Sequence, residues 1–267
     1  GVGYFTTDRG ATTRITRHSM QDFGQEPVHY FIKAVPAEFQ PHFAGAFDAW
    51  NALFERAIGK KLLSYEFVNV GDAKFNLLVT GDIRHNIIEW DLVNAAPYGG
   101  LGPSIANQLT GEIFSANILV QGPSIVELYT KWFELAAQAR ALRGAGREAE
   151  ADRLVLEFHR ERQARAERAG QTRFKLSLGS KLDFRVTSQM PELEDALEAR
   201  ADFDLPPEGM SYEQYMVGYM HELVAHEMGH NMGLRHNFRG NLGATGDGTR
   251  GSTSRSIMEY LGRSFRY

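Results

Sequence analysis

The sequence predicts an α+β domain built on a mixed sheet with an antiparallel edge strand, and three stretches carry that reading. Residues 28 to 70 run from a β-branched and aromatic segment through an amphipathic one to a second β-branched one, the order strand, helix, strand. Within one sheet that order gives a parallel pair with a right-handed crossover. Residues 124 to 170 are rich in Ala, Arg, Glu and Leu at helical spacing, which reads as an inserted helical hairpin. Residues 211 to 230 carry a second long apolar stripe that runs into a cluster of histidines, giving two main helices in all.

Taken in order, residues 1 to 26 are rich in Gly, Thr and Arg, and GVGYFTT reads as a short extended surface segment whose role is not legible. Val28 to Val35 stops at Pro36 and reads as a buried strand. A helix is expected over Ala37 to Ile58, where Phe39, Phe43, Phe47, Trp50 and Phe54 recur at spacings of three and four before Gly59. Such an aromatic stripe belongs to a core rather than to a cofactor box. Ser64 to Val70 is the second strand, and of FNLLVT (75–80) and IRHNIIEW (83–90) the latter is the better third. Tyr98 to Val120 reads as a hairpin turning near Asn107 to Gly111, with its return strand, Glu112 to Val120, expected at the sheet edge.

The hairpin of 124 to 170 breaks at Gly144-Ala145-Gly146, and its mixed charges suit a solvated face. It reads either as a structural insertion or as a lid or docking surface for a protein partner. An acidic helix is expected at Pro191 to Arg200, before the breaker Pro206-Pro207. Ser211-Tyr212-Glu213-Gln214 is a capping box that starts the second main helix. Its stripe of Tyr212, Tyr215, Met216, Tyr219, Met220 and Leu223 continues into His226, Glu227 and His230, so these three belong to the buried face.

The stripe ends in His226-Glu227-x-x-His230-x-x-Gly233-x-x-His236. Residues four apart on a helix lie about 40° apart around the axis and roughly 6 Å along it, so two imidazoles project side by side and can grip one metal ion. Gly233, free to take the left-handed conformation, ends the helix and brings His236 back as a third ligand. Three nitrogens leave one tetrahedral position open, the mark of a catalytic zinc site, where bound water has its pKa lowered to about 7. Glu227 neighbours both ligands and is suited to take that water's proton. His221 lies about 140° round the helix from His226 and is expected outside the metal shell. The glycine-rich stretch from Asn237 to Arg255 reads as a connection, and its lone Asp247 does not make a calcium loop.

At 267 residues the chain is expected to form one domain, with sheet and first helix in 27–123, the helical hairpin in 124–170, the zinc-binding helix and turn in 211–236 and a C-terminal part in 237–267. A net charge of −4 gives no basic footprint for nucleic acid, and no apolar run approaches membrane-spanning length. Cysteine is absent, so disulfides contribute nothing. The start at Gly1, without an initiator methionine or signal-like segment, suggests a mature or excised piece.

The extended histidine motif, followed by Ser256-Ile257-Met258-Glu259-Tyr260, resembles the metzincin clan of zinc peptidases with its methionine turn. Within the clan the chain looks most like bacterial zinc-dependent metalloproteases with a Met-zincin (EcxA-like) zinc-binding domain. Softer matches are GVGYFTT, VHYFIKAVPAEF, DAWNALFE and TGEI. The resemblance implies a metzincin-like catalytic domain, one Zn²⁺ held by His226, His230 and His236, and Met258 as an apolar floor below them. It further implies hydrolysis of a protein or peptide substrate by zinc-bound water with Glu227 as base and acid, and export to the periplasm or beyond. The edge strand beside the metal cleft then takes up peptide by strand addition. Astacin-like and serralysin-like enzymes share S-x-M-x-Y, which implies that Tyr260 stabilises the oxyanion. The clan normally continues into a C-terminal helix, whereas here nine residues follow Met258. The alternative is a toxin-like or partner-binding module in which the helical hairpin docks a partner and hydrolysis is secondary.

Overall fold

The computed structural model describes residues 4–9, 12–19, 26–92, 99–168, 205–237 and 256–258. Eight strands and four helices occur among them. The strands are β1 (Thr6–Arg9), β2 (Thr12–Ile15), β3 (Val28–Lys33), β4 (Leu63–Val68), β5 (Asn86–Trp90), β6 (Gly100–Leu101), β7 (Ser104–Ala106) and β8 (Ile113–Val120). The helices are α1 (Gln40–Ile58), α2 (Gly122–Gly144), α3 (Glu148–Arg168) and α4 (Tyr212–Asn231). The chain divides into two compact units, one of Gly1–Asn94, Tyr98–Ile125 and Glu213–Tyr267, the other of Ala95–Pro97 and Val126–Tyr212.

The first unit holds a six-stranded mixed sheet of order β4-β3-β5-β8-β6, with β7 also paired to β8. β3, β4, β5 and β8 are mutually parallel, while β6 and β7 run antiparallel to β8. One expectation is therefore corrected. The return strand of the hairpin is not the sheet edge, because β8 carries β5 on one side and β6 and β7 on the other. Its burial has the same cause: β8 is buried at six of eight positions, as suits an inner strand with both neighbours in place. The antiparallel edge is the outgoing limb, residues 100 to 106.

Register puts Tyr30, Ile32, Tyr65, Ile88, Trp90, Ile118 and Val120 on one face. α1 packs there through its predicted stripe, with Phe47 against Tyr30 and Tyr65 and with Phe39 stacked on Trp90 at 5.0 Å. Phe43 and Phe47 are wholly buried, worth about 2–3 kcal/mol each. Gly59, left-handed at φ 74°, closes the helix by donating to the Glu55 carbonyl. The opposite face is covered by the loop that follows β4, where Phe75 and Leu78 pack on Phe31, Val68 and Ile87. Lys33 anchors that loop by donating to the Leu78 carbonyl (3.0 Å) and is itself paired with Glu89 of β5 (3.3 Å). FNLLVT thus serves as a covering loop rather than a strand, and β5 falls within the favoured alternative.

In the second unit α2 and α3 form the expected helical hairpin, turning at Gly146 (φ 73°). Ala136 and Ala139 of α2, Ala151 and Val155 of α3, and Leu205 from beyond the hairpin make its core. The expected helix at Pro191 to Arg200 lies outside the described residues. No helix among the described residues is long and apolar enough to cross a membrane.

Asn51 joins α1 to the sheet. Its side chain accepts from the amides of Leu62 (3.1 Å) and Leu63 (3.0 Å) and donates to the Leu63 carbonyl (3.0 Å). Asn51→Leu would leave three buried backbone groups without partners, and urea unfolding is expected to show a loss of roughly 2–4 kcal/mol.

Candidate metal centre

α4 supplies the site because it is buried along nearly its whole second half, from Leu223 to Gly229 without interruption. The helix ends in a Schellman turn, with Gly233 N–H donating to the His230 carbonyl (2.9 Å) and Leu234 N–H to the Gly229 carbonyl (3.0 Å). Gly233 is left-handed at φ 87°, as the spacing predicts. The chain then doubles back and carries His236 to the other two histidines.

The three rings converge. Centroids of His226 and His230 lie 4.9 Å apart, and His236 lies 5.1 Å and 4.6 Å from them. His236 Nε2 is 3.2 Å from His226 Nε2 and 3.1 Å from His230 Nε2. On the outer side His226 Nδ1 donates to the Ile257 carbonyl (2.6 Å), and His230 Nδ1 to the Leu234 carbonyl (2.8 Å). A carbonyl can only accept, so the rings of His226 and His230 carry their protons on Nδ1 and turn a bare Nε2 inward. With the His236 ring also protonated on Nδ1, three lone pairs face one point, an arrangement that a cation stabilises. Nitrogens at about 2.0–2.1 Å from a tetrahedral zinc stand roughly 3.3–3.4 Å apart, so the observed spacing fits that ion. Burial lowers the pKa of His230 and brings that of His236 down to about 4, helped there by His230 and Arg235. Both therefore stay in the neutral, ligating form.

Glu227 is buried at 6% exposure and faces the edge strand. Burial pushes its pKa up to about 7, against the pull of a hydrogen bond donated by the Gly102 backbone N–H. A Cβ on Gly100 would lie 3.0 Å from Glu227 Oε1, and one on Gly102 would lie 3.1 Å from Oε2 and 2.7 Å from the Glu227 carbonyl. The strand can run against the carboxyl group because both positions lack side chains.

Met258 is buried at 3% exposure, and its sulfur lies 2.2 Å from where a Cβ on Gly229 would be, directly under the turn of helix between the first two histidines. Trp50 reaches the same region from α1, donating Nε1–H to the Ala225 carbonyl (3.0 Å). His221 turns the other way, its Nδ1 against Gly45 of α1. Tyr260 lies outside the described residues.

Sequence reasoning missed Gly100, Gly102, Gly229 and Asn231. Asn231 is wholly buried and links three elements, donating to the Asn117 carbonyl (3.1 Å) and accepting from Tyr30 (3.5 Å) and, at its own carbonyl, from His18 (3.1 Å). The one available signal was the glycine run Gly99-Gly100-Leu101-Gly102, too regular for a strand that only packs.

Residues 209–265 match the family model described as Met-zincin, a stretch that takes in α4, the ligand turn and the methionine turn. No curated protein and no solved structure matches the chain. The Met-zincin match and the three-histidine cluster together support a zinc metalloprotease.

A carboxyl whose folded pKa is raised stabilises the fold below its unfolded value, and that contribution is lost as pH rises through about 7. Glu227→Gln is therefore expected to match the wild type in metal-free protein near pH 4.5 and to exceed it in stability at pH 8 by up to about 3 kcal/mol. Urea titrations of chelator-treated protein at the two pH values check this.

Proposed function

We propose that the chain is a zinc endopeptidase in which His226, His230 and His236 hold one zinc ion and Glu227 is base and acid. The observation that carries the reading is the convergence of three Nε2 atoms at the end of a helix whose buried Glu227 carboxyl group faces an antiparallel edge strand. When bound, zinc supplies a Lewis acid that lowers the pKa of water and polarises a carbonyl group.

The residues of the chain divide the remaining work. Glu227, whose carboxyl pKa is pushed up by burial from the ordinary range, takes a proton from the attacking water and passes it to the leaving amine. The Gly102 amide holds the carboxylate in place for both transfers. Residues 100 to 106 offer backbone groups to an extended peptide, so affinity comes from main-chain pairing and selectivity from alternate side chains. Tyr260 is assigned the oxyanion on its place in S-x-M-x-Y alone, and export to the periplasm or beyond is carried over from the family resemblance.

Casein cleavage is expected to stop on chelation and return with zinc. Glu227→Ala should keep the metal, by elemental analysis, while turnover falls by about 10² to 10⁴. A zinc-loaded Glu227→Ala that still turns over normally would overturn the assignment. Tyr260→Phe, which removes only the hydroxyl, is expected to keep zinc and lower kcat by about 10² to 10³ with KM little changed, in steady-state assays on a fluorogenic peptide.

A further inference from the structure

The segment whose role the sequence left open lies against the ligand turn. Tyr4 forms an antiparallel bridge with Leu234, whose carbonyl accepts the His230 Nδ1 proton. Phe5 N–H donates to the Gly233 carbonyl at 2.7 Å, and its ring lies 5.6 Å from that of His230. Thr16, 6% exposed, donates both its N–H (2.9 Å) and its hydroxyl (3.2 Å) to the Phe5 carbonyl. The Thr16 carbonyl occupies the space of a Gly233 side chain, 2.2 Å from where its Cβ would be. His18 Nε2 donates to the Asn231 carbonyl at 3.1 Å. The carbonyls of Asn231 and Gly233, beyond the reach of helical partners, thus find their donors in the N-terminal segment.

The same segment is fixed at its other side to the tip of the β7–β8 hairpin. Arg17 N–H donates to the Gly111 carbonyl (2.9 Å), Ile113 N–H donates to the Arg17 carbonyl (2.8 Å), and the Thr7 hydroxyl donates to the Gln108 carbonyl (3.3 Å). Residues 4–9 and 12–18 therefore bridge the sheet and the turn. The path from Gly233 to His236 leaves the helix, and these contacts join it to the sheet.

We propose that the β1–β2 hairpin and its flanks are part of the metal centre, a clasp that sets the 231–236 turn so that His236 meets His226 and His230. The inference rests on the zinc reading above. Phe5, Thr16 and His18 are then positioning residues, acting on the metal through the backbone of the turn. Thr16→Val removes the hydroxyl with little change of shape, Thr16→Ser keeps it, and Phe5→Ala removes the ring that faces His230.

Zinc affinity of the full chain, read by competition with a chromophoric chelator, tests the clasp, together with the visible spectrum of the cobalt-substituted protein. Thr16→Val and Phe5→Ala are each expected to weaken zinc binding by about tenfold, the low end of what disturbing the surroundings of a ligand costs. Both should shift the cobalt bands, and Thr16→Ser should restore the wild-type values. If Thr16→Val fails to fold, Phe5→Ala decides alone, since Phe5 is 39% exposed and its loss spares the core. Folded variants with wild-type zinc affinity and cobalt spectrum would overturn the clasp while leaving the zinc reading intact. A wild-type chain that takes up no zinc would overturn both.

Discussion

The inward aim of three imidazoles is the constraint on which the site depends. An acceptor on the far nitrogen of an imidazole fixes the proton there and leaves the near nitrogen bare. Here those acceptors are backbone carbonyls, of Ile257 for His226 and of Leu234 for His230. Both come from segments with no regular structure of their own. The methionine turn and the turn after α4 must each be held before the histidines can converge, and much of the surrounding packing does that holding. Met258 fills the space under Gly229, Asn237 N–H donates to the Met258 carbonyl (2.7 Å), and Asn231 ties the helix end to the sheet.

Glu227 is governed by a different balance. Burial alone would keep Glu227 protonated well above the ordinary carboxylate range, while the Gly102 amide favours the charged form. One backbone group on the sheet edge thus touches the electrostatics of Glu227, and under the proposed function the same edge offers its remaining groups to a peptide. Moving the edge from β8 to residues 100–106 makes this arrangement intelligible. Had β8 been outermost, the glycines of the outgoing limb would have had no reason to lie against α4.

The sequence made much of this legible where local rules operate. The periodic apolar stripe of α1, the strand, helix, strand order, the break at Gly144 to Gly146 and the left-handed Gly233 each follow from a few neighbouring residues. The three histidines could be read as a cluster because helical geometry and one glycine turn fix their relation. What could not be read depends on contacts between residues far apart in the chain. Nothing local marks Asn51 as the link to Leu62 and Leu63, or Asn231 as a meeting point of Tyr30, Asn117 and His18. The edge was misjudged because pairing order in a sheet is nonlocal, and a hairpin sequence alone does not say which limb another strand will join.

The contact of Met258 with Gly229 also bears on which sequences this site can accept. The sulfur lies where any side chain at 229 would begin, so the two positions share one small volume. Even an alanine at 229 would push the turn outward and carry the neighbouring Ile257 carbonyl away from His226. The two residues are thus bound to vary together: a larger group at one is tolerable only with a smaller one at the other. A smaller group at 258 would in turn withdraw the polarisable sulfur from under the histidines. Across related chains, the pairing of methionine with a glycine one residue before the second histidine should therefore behave as a single inherited character.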